Sequence, residues 1–331
     1  LDISNDFSLI SKAFNDIKSL STIKVKSGKK LSFNQYSFRN LENLKTLEIS
    51  GYEVVFKYNW INNCPNLKSI NIHISNDLQI VSDIFNRFDN IDNIKISSNS
   101  SIMLFDNCNY FAKSLQSVKI VAPKVNLGNK CFKSLPSLKT VKIHCKELII
   151  CNECFMSCES LKYIAFKNMN SIKIGEKAFA NCLVLNIVNI NESMKIEIND
   201  NCFMGSTNIN SIIFKSEEVL IDKGCFMDCR ELSSITFENV KYLKIGGNAF
   251  KNCIALKNVE LVAITKIEID DSCFTELINL NKITFRSEEV IICNKCFMNC
   301  SNLSLISFDN VKKLCIGSNL FQGCKKLIKI D

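Results

Sequence analysis

Proline and glycine are scarce here: three and ten residues in a chain of 331. That excludes a loop-rich sandwich and a collagen-like chain, both of which use far more of them. Histidine is scarcer still, present only as His73 and His144, which leaves little for imidazole acid–base catalysis. No apolar run approaches the 18 or so residues of a membrane-spanning helix. The opening Leu1-Asp2-Ile3-Ser4-Asn5 has no basic stretch leading into an apolar one, so these residues do not read as a signal peptide. Nor is there a large excess of one charge. The 41 Lys+Arg and 33 Asp+Glu are interspersed and leave +8, which argues against a nucleic-acid partner. What the chain does have is 47% hydrophobic residues, 23 Phe and 18 Cys, enough to fill a large core.

That apolar content is periodic. A lead Leu or Ile, followed by an aliphatic residue at +3 and usually another apolar one at +5, recurs at Leu20, Leu44, Leu67, Ile91, Leu115, Leu138, Leu161, Leu185, Ile209, Leu232, Leu256, Leu280, Leu303 and Leu327, always 23 or 24 residues apart. Six residues before each lead lies an aromatic slot. Phe fills it at 14, 38, 85, 132, 155, 179, 203, 226, 250, 274, 297 and 321, with Ile61 and Asn109 as exceptions. Two further apolar positions precede the slot by seven and five residues, as in Leu148/Ile150 and Leu243/Ile245. Period-two alternation predicts a short strand before the slot and another after the lead residue. The Phe-x-x-Cys-x-x-Leu spacing predicts a helical or 3₁₀ turn between them.

A unit this short cannot bury an apolar face alone, whereas stacked copies share one core. The expectation is therefore an α/β solenoid of about 14 coils over residues 1–331, one domain, with a parallel β-sheet on one face. At the spacing of parallel strands this gives a rod or arc on the order of 65–70 Å. A longer step is visible too. The segments Glu147–Cys158, Glu218–Cys229 and Glu289–Cys300 resemble one another at intervals of 71 residues, as if the chain grew by three-unit blocks.

Most cysteines obey the same period. Cys64, Cys158, Cys182, Cys229, Cys253, Cys300 and Cys324 lie three after the slot; Cys108, Cys131, Cys154, Cys202, Cys225, Cys273 and Cys296 lie one before it. Other units place Leu, Ile, Phe, Ala or Ser there, so cysteine is read first as a small buried hydrophobe. Two chemical readings compete. Disulfides could join neighbouring coils at Cys158/Cys182, Cys229/Cys253 and Cys300/Cys324, although parallel side chains suit them poorly. The triplets Cys151/Cys154/Cys158 and Cys293/Cys296/Cys300 could seed a metal- or redox-active thiol site, but no fourth ligand is evident. Gly246-Gly247 lacks the rest of a dinucleotide fingerprint. His73 and His144 share a phase 71 residues apart, which fits inherited turn positions. Asn99, Asn191, Asn299 and Asn302 open formal glycosylation sequons, in a chain rich in Asn. No cofactor and no catalytic constellation is expected, so the chain reads as a non-enzyme.

The unit Ile172-Lys-Ile-Gly-Glu-Lys-Ala-Phe179-Ala-Asn-Cys182-Leu-Val-Leu185-Asn-Ile-Val188-Asn-Ile190 resembles the BspA-like (Treponema pallidum-type) leucine-rich repeat, as do Leu243–Cys253 and Leu314–Cys324. The Pro that usually ends that family's strand is missing from every unit, which points to a divergent, eukaryotic-microbe version. The resemblance implies a binding scaffold, such as a surface adhesion module or a subunit of a larger assembly, and implies no catalytic residues. It favours a cell-surface location, whereas a ladder of reduced cysteines favours an intracellular one.

In such a solenoid the positions two and four after each lead residue face outward. Lys95, Lys119 and Lys142 would then stack as like charges, an arrangement a counter-anion or acidic protein could relieve. Tyr163, Ala165, Ile187 and Ile213 would form an apolar patch beside them. Lys95, Lys119, Lys142, Tyr163, Ile187 and Ile213 are the candidate partner-binding residues. The acid pairs Glu217-Glu218 and Glu288-Glu289 are expected to solvate an edge. Both ends of the chain fall inside the repeat rhythm, so a fragment, or end-on packing against another chain, is expected.

Overall fold

The computed structural model describes residues 1–9, 13–14, 17–81, 90–107, 113–167 and 169–331, apart from the side chains at 187, 189, 191 and 192. Phe85, Cys108 and Asn109 therefore lie outside the described residues. Two compact units divide the chain, Leu1–Leu161 and Lys162–Asp331. Each is a parallel β-solenoid. A strand begins two residues after every lead residue, from Thr22–Ser27 to Lys329–Ile330.

In the first unit the lead strands Thr22–Ser27, Thr46–Gly51, Ser69–Ile74, Asn93–Ser98, Ser117–Val121 and Thr140–His144 pair in parallel, one coil to the next. Their alternation is strict: Ile23, Leu47, Ile70, Ile94, Val118 and Val141 point into the core, and the residues between them point out. The strands preceding the slot form parallel ladders of their own, among them Leu78–Ile80, Ser101–Leu104, Lys124–Leu127 and Glu147–Ile150. β-Branched residues at alternate positions suit this geometry, because one face of each strand is dry and the other wet.

The second unit repeats the plan. Lead strands pair through Asn258–Val262, Lys282–Arg286 and Leu305–Asp309, and Tyr242–Ile245, Lys266–Ile269, Glu289–Ile292 and Lys313–Ile316 form the other ladder. In Ile187–Ile198 and Ser211–Ile221 the two strands of a coil run together as one.

Register is fixed by polar groups as well as by the core. An Asn before the lead residue donates to the preceding coil: Asn66 Nδ2 to Glu42 O at 2.7 Å in the first unit, Asn302 Nδ2 to Ile278 O at 2.8 Å in the second. Lysines meet carboxylates one coil away, as in Lys30–Glu53 at 2.8 Å and Lys313–Glu289 at 2.9 Å. The acid pairs are part of this system: Glu217 binds Lys241 at 2.8 Å and Glu288 binds Lys312 at 2.7 Å. They are ion-paired across coils.

The helical turns expected around the aromatic slot are not there; among the described residues there is no helix. The cause is backbone handedness. Residues two before and two after the slot have positive φ: Lys130 at 57° and Ser134 at 57° around Phe132, Asn248 at 57° and Asn252 at 62° around Phe250. A helix needs consecutive right-handed residues and bonds four residues back. Alternating hand instead turns amides toward the neighbouring coil. Lys130, Phe132 and Ser134 donate to Asn152 O, Cys154 O and Met156 O at 3.0, 2.8 and 2.9 Å. Short i→i−3 bonds such as Cys158 N to Phe155 O, at 3.2 Å, close the turns between them. Asparagine tolerates the left-handed region better than most residues, and it takes many of these positions. At Gly205, φ 70°, a Cβ would sit 2.5 Å from Asn181 Oδ1.

Candidate interaction surface

The outward rows of the lead strands in the first unit are assembled by register. Lys95 stands opposite Lys119, and Lys119 opposite Lys142, as Cα partners. Lys95 and Lys142 are exposed and Lys119 is half-buried. Among the register pairs of the described residues, these are the only two in which cation faces cation. Elsewhere a lysine faces an acid or a neutral residue, as in Lys24↔Glu48, Lys124↔Glu147 and Lys244↔Glu268. The ion pairs of this face are Lys24–Glu48 at 2.9 Å and Lys26–Asp2 at 3.5 Å. Among the described residues, none reaches Lys95, Lys119 or Lys142.

On either side of the lysine row the residues are small or polar: Asn93, Ser117 and Thr140 on one flank, Ser97, Val121 and His144 on the other, with His73 continuing the second flank beside Asn71. His73 Nδ1 lies 3.0 Å from Ser97 Oγ. An open groove of about 420 Å³, lined among others by Lys24, Lys26, Glu48, Asn71, His73 and Lys95, runs along the same face. Of these residues only Lys95 is among the candidates named from the sequence; the others recur at offsets four and six from successive lead residues.

In the second unit Tyr163 is exposed and Ile213 half-buried, while Ala165 is buried and drops out of the expected apolar patch. The backbone of Ile187 pairs with both Tyr163 and Ser211, but its side chain lies outside the described residues. Further along, Arg286 bridges Glu260 at 2.8 Å and Asp309 at 3.1 Å, so that cation is neutralised within the face. In the last coil Leu314, Ile316, Ile328 and Ile330 are exposed.

The described cysteines are free thiols, Cys229, Cys253, Cys300 and Cys324 included. Several act as hydrogen-bond donors. Cys253 Sγ donates to Phe226 O and Cys300 Sγ to Phe274 O, each at 3.1 Å, and Cys158 Sγ to Phe132 O at 3.0 Å. Ser206, in the same slot, donates from Oγ to Phe179 O at 2.8 Å. Cysteine here is more than a small hydrophobe, because it satisfies a buried carbonyl of the preceding coil. Burial pushes the thiols of Cys158, Cys296 and Cys300 up to about 12 and raises those of Cys151 and Cys293. A raised thiol opposes the thiolate that metal or redox chemistry needs. Among the described residues, no group of three or more His, Cys, Asp or Glu could hold a metal ion.

Comparison with known proteins adds the following. The family model "BspA type Leucine rich repeat region (6 copies)" matches residues 7–139, 79–197, 125–244 and 219–331. A leucine-rich repeat protein from Bacteroides ovatus ATCC 8483 is similar in structure, with a TM-score of 0.52 at 20% identity over 90% of this chain and 81% of that one. The T. pallidum leucine-rich repeat protein gives 0.32 at 17% identity, over 72% of this chain and 84% of that one. A leucine-rich cell surface protein from Faecalibacterium prausnitzii A2-165 gives 0.30 at 16%, over 92% and 82%. No curated protein matches the chain.

Proposed function

Because the chain belongs to the family of BspA-type leucine-rich repeat proteins, we propose that it is a non-catalytic protein-interaction scaffold that binds through the outward face of its lead strands. The observation that carries this reading is the Lys95–Lys119–Lys142 row. Every other lysine-bearing register pair in the described residues sets the cation against an acid or a neutral group. Like charges held in register on neighbouring strands cost stability. A partner that supplies the opposite charge offsets that cost on binding. Tyr163 and Ile213, on the second unit, offer the kind of amphipathic and apolar contact that anchors interfaces. The scaffold serves either surface adhesion or a larger assembly.

Site-specific photo-crosslinking tests this. A crosslinker at Thr140, on the lead face, is compared with one at Asn126, on the outward side of the other ladder, in extract of the source organism. The reading expects one dominant adduct from Thr140, competed away by unlabelled protein. Equal adduct patterns from both positions would reject the lead face as the binding surface.

A further inference from the structure

Resting on the interaction reading, we infer that the Lys95–Lys119–Lys142 row receives an acidic helical segment of a partner protein, laid along the direction in which the coils stack, with carboxylates at i, i+3 or i+4, and i+7. Three features lead there.

The first is the length of the row. Following the register from Lys95 away from Lys119 gives Asn71 and then Glu48, and Glu48 is engaged by Lys24 at 2.9 Å. On that side the positive track ends in a neutral residue and an anion. A discrete set of about three carboxylates fits it, whereas an open-ended polyanion would run onto Glu48. The first unit's lead face also offers no Phe, Tyr or Trp among its outward residues: the rows are Thr, Ser, Asn, Lys, Glu, His and Val. Apart from the imidazoles of His73 and His144, stacking platforms for unpaired bases are thus missing from it.

The second feature is spacing. Neighbouring strands lie ~4.8 Å apart, so Lys95 and Lys142 are separated by ~9.6 Å along the stack. Residues i and i+7 of a helix are ~10.5 Å apart, with i+3 and i+4 falling between them. An extended chain with carboxylates on one face at i, i+2 and i+4 spans ~13 Å. The helix matches the row to about 1 Å over three contacts; the extended chain overshoots by about 3 Å.

The third feature is relief. Asn93, Ser117 and Thr140 on one flank and Ser97, Val121 and His144 on the other are all shorter than lysine, so the row has low borders. The short flanks leave room for a helix to settle, and their hydroxyls can accept or donate at its edge. Elsewhere in the same unit the chain cancels this kind of charge itself, as Lys30 does with Glu53 and Lys124 with Glu147 at 3.1 Å.

Fluorescence anisotropy with three probes tests the assignment on the whole chain. One is an alanine-based peptide with Glu at helix spacing (positions 4, 8 and 11). The second is its isomer with Glu at 4, 6 and 8. The third is a single-stranded oligonucleotide of similar charge. The expected result is binding of the first peptide at least about fivefold tighter than the second, weakened by added salt. Lys119→Glu should weaken it about tenfold, Lys119→Gln about threefold, and Lys146→Glu, off this face, not at all. Circular dichroism establishes that each variant is folded. Equal binding of the two peptides, tighter binding of the oligonucleotide, or indifference to Lys119→Glu would overturn the inference. If neither peptide binds while a partner is still trapped from Thr140, the acidic helix is rejected and the scaffold reading stands. If the Thr140 adduct is also absent, both fall.

Discussion

The two units fill the same slot in different ways. In the second, Phe179, Phe203, Phe226, Phe250, Phe274 and Phe297 stack face to face, with centroids 5.2–5.8 Å apart and rings within 7° of parallel. In the first, Phe14 and Phe38 form such a stack at 5.8 Å and Phe132 and Phe155 another at 5.1 Å, but between them Ile61 takes the slot. There Trp60, fully buried, meets Phe38 edge-on at 5.9 Å and packs on Phe33 at 5.6 Å and Phe56 at 4.5 Å. The volume that a slot phenylalanine would supply comes from the residue before it and from the strand preceding the slot. Filling the space between coils matters more than which row fills it. The lead faces differ in the same spirit: the second unit neutralises Arg286 with Glu260 and Asp309, and the first leaves three lysines in line.

The widest gap between the units should open in alkali. Burial raises the thiols of Cys225, Cys229, Cys253, Cys273, Cys296 and Cys300 in the second unit, against Cys145 and Cys158 as the most raised in the first. A folded pKa above the unfolded one gives stability that is intact below the unfolded value and lost as pH rises through the folded one. Unfolded thiols ionise near pH 8.5. Each strongly buried one therefore costs about 1.4 kcal/mol per pH unit above that. Hydrogen exchange followed from pH 8 to 10.5 should show the second unit opening first. Parallel loss in both units would mean that the thiols are not the cause.

Truncating the aromatic cores comes next. Phe226→Ala and Trp60→Ala should each destabilise by about 3–5 kcal/mol in denaturant melts. A cost below about 1 kcal/mol for Trp60→Ala would show that the tryptophan cluster does not replace the stack. Within the second unit, Cys229→Ala should cost about 1–2 kcal/mol and Cys229→Ser less, because a hydroxyl keeps the bond to Phe203 O that the thiol makes at 3.3 Å. The reverse order would return that slot to plain hydrophobic packing. Smallest is the lead face: in the absence of partner, Lys119→Glu should raise the stability of the first unit by a few tenths of a kcal/mol, an effect that salt erases.

Much of this was legible in the residues. Lead strands follow from a period of two that only one register satisfies, so each begins where the spacing places it, and the lysine row follows by counting four from the lead residue. The turns are not decided by the spacing, because a spacing of three suits a helix and a run of tight turns equally well. What separates them is the sign of φ, and its trace was present in Asn201 and Gly205 around Phe203 and in Asn248 and Asn252 around Phe250. Burial of Ala165 was not legible, since a methyl group is covered or bare according to the height of its neighbours. The thiol–carbonyl bonds could be suspected only from Ser206, where a hydroxyl takes a cysteine's place.

The amides around described aromatic slots such as Phe132, Phe203, Phe226 and Phe250 bond to the neighbouring coil, and this has a mechanical consequence. Tension applied to a unit along its stacking direction loads these bonds end to end, a coil at a time. Each coil that peels away frees about 24 residues, on the order of 80 Å of slack, before the next one bears the load. Such a unit yields under force as a staircase of equal lengths, and a strained tether keeps most of its folded coils while it pays out chain.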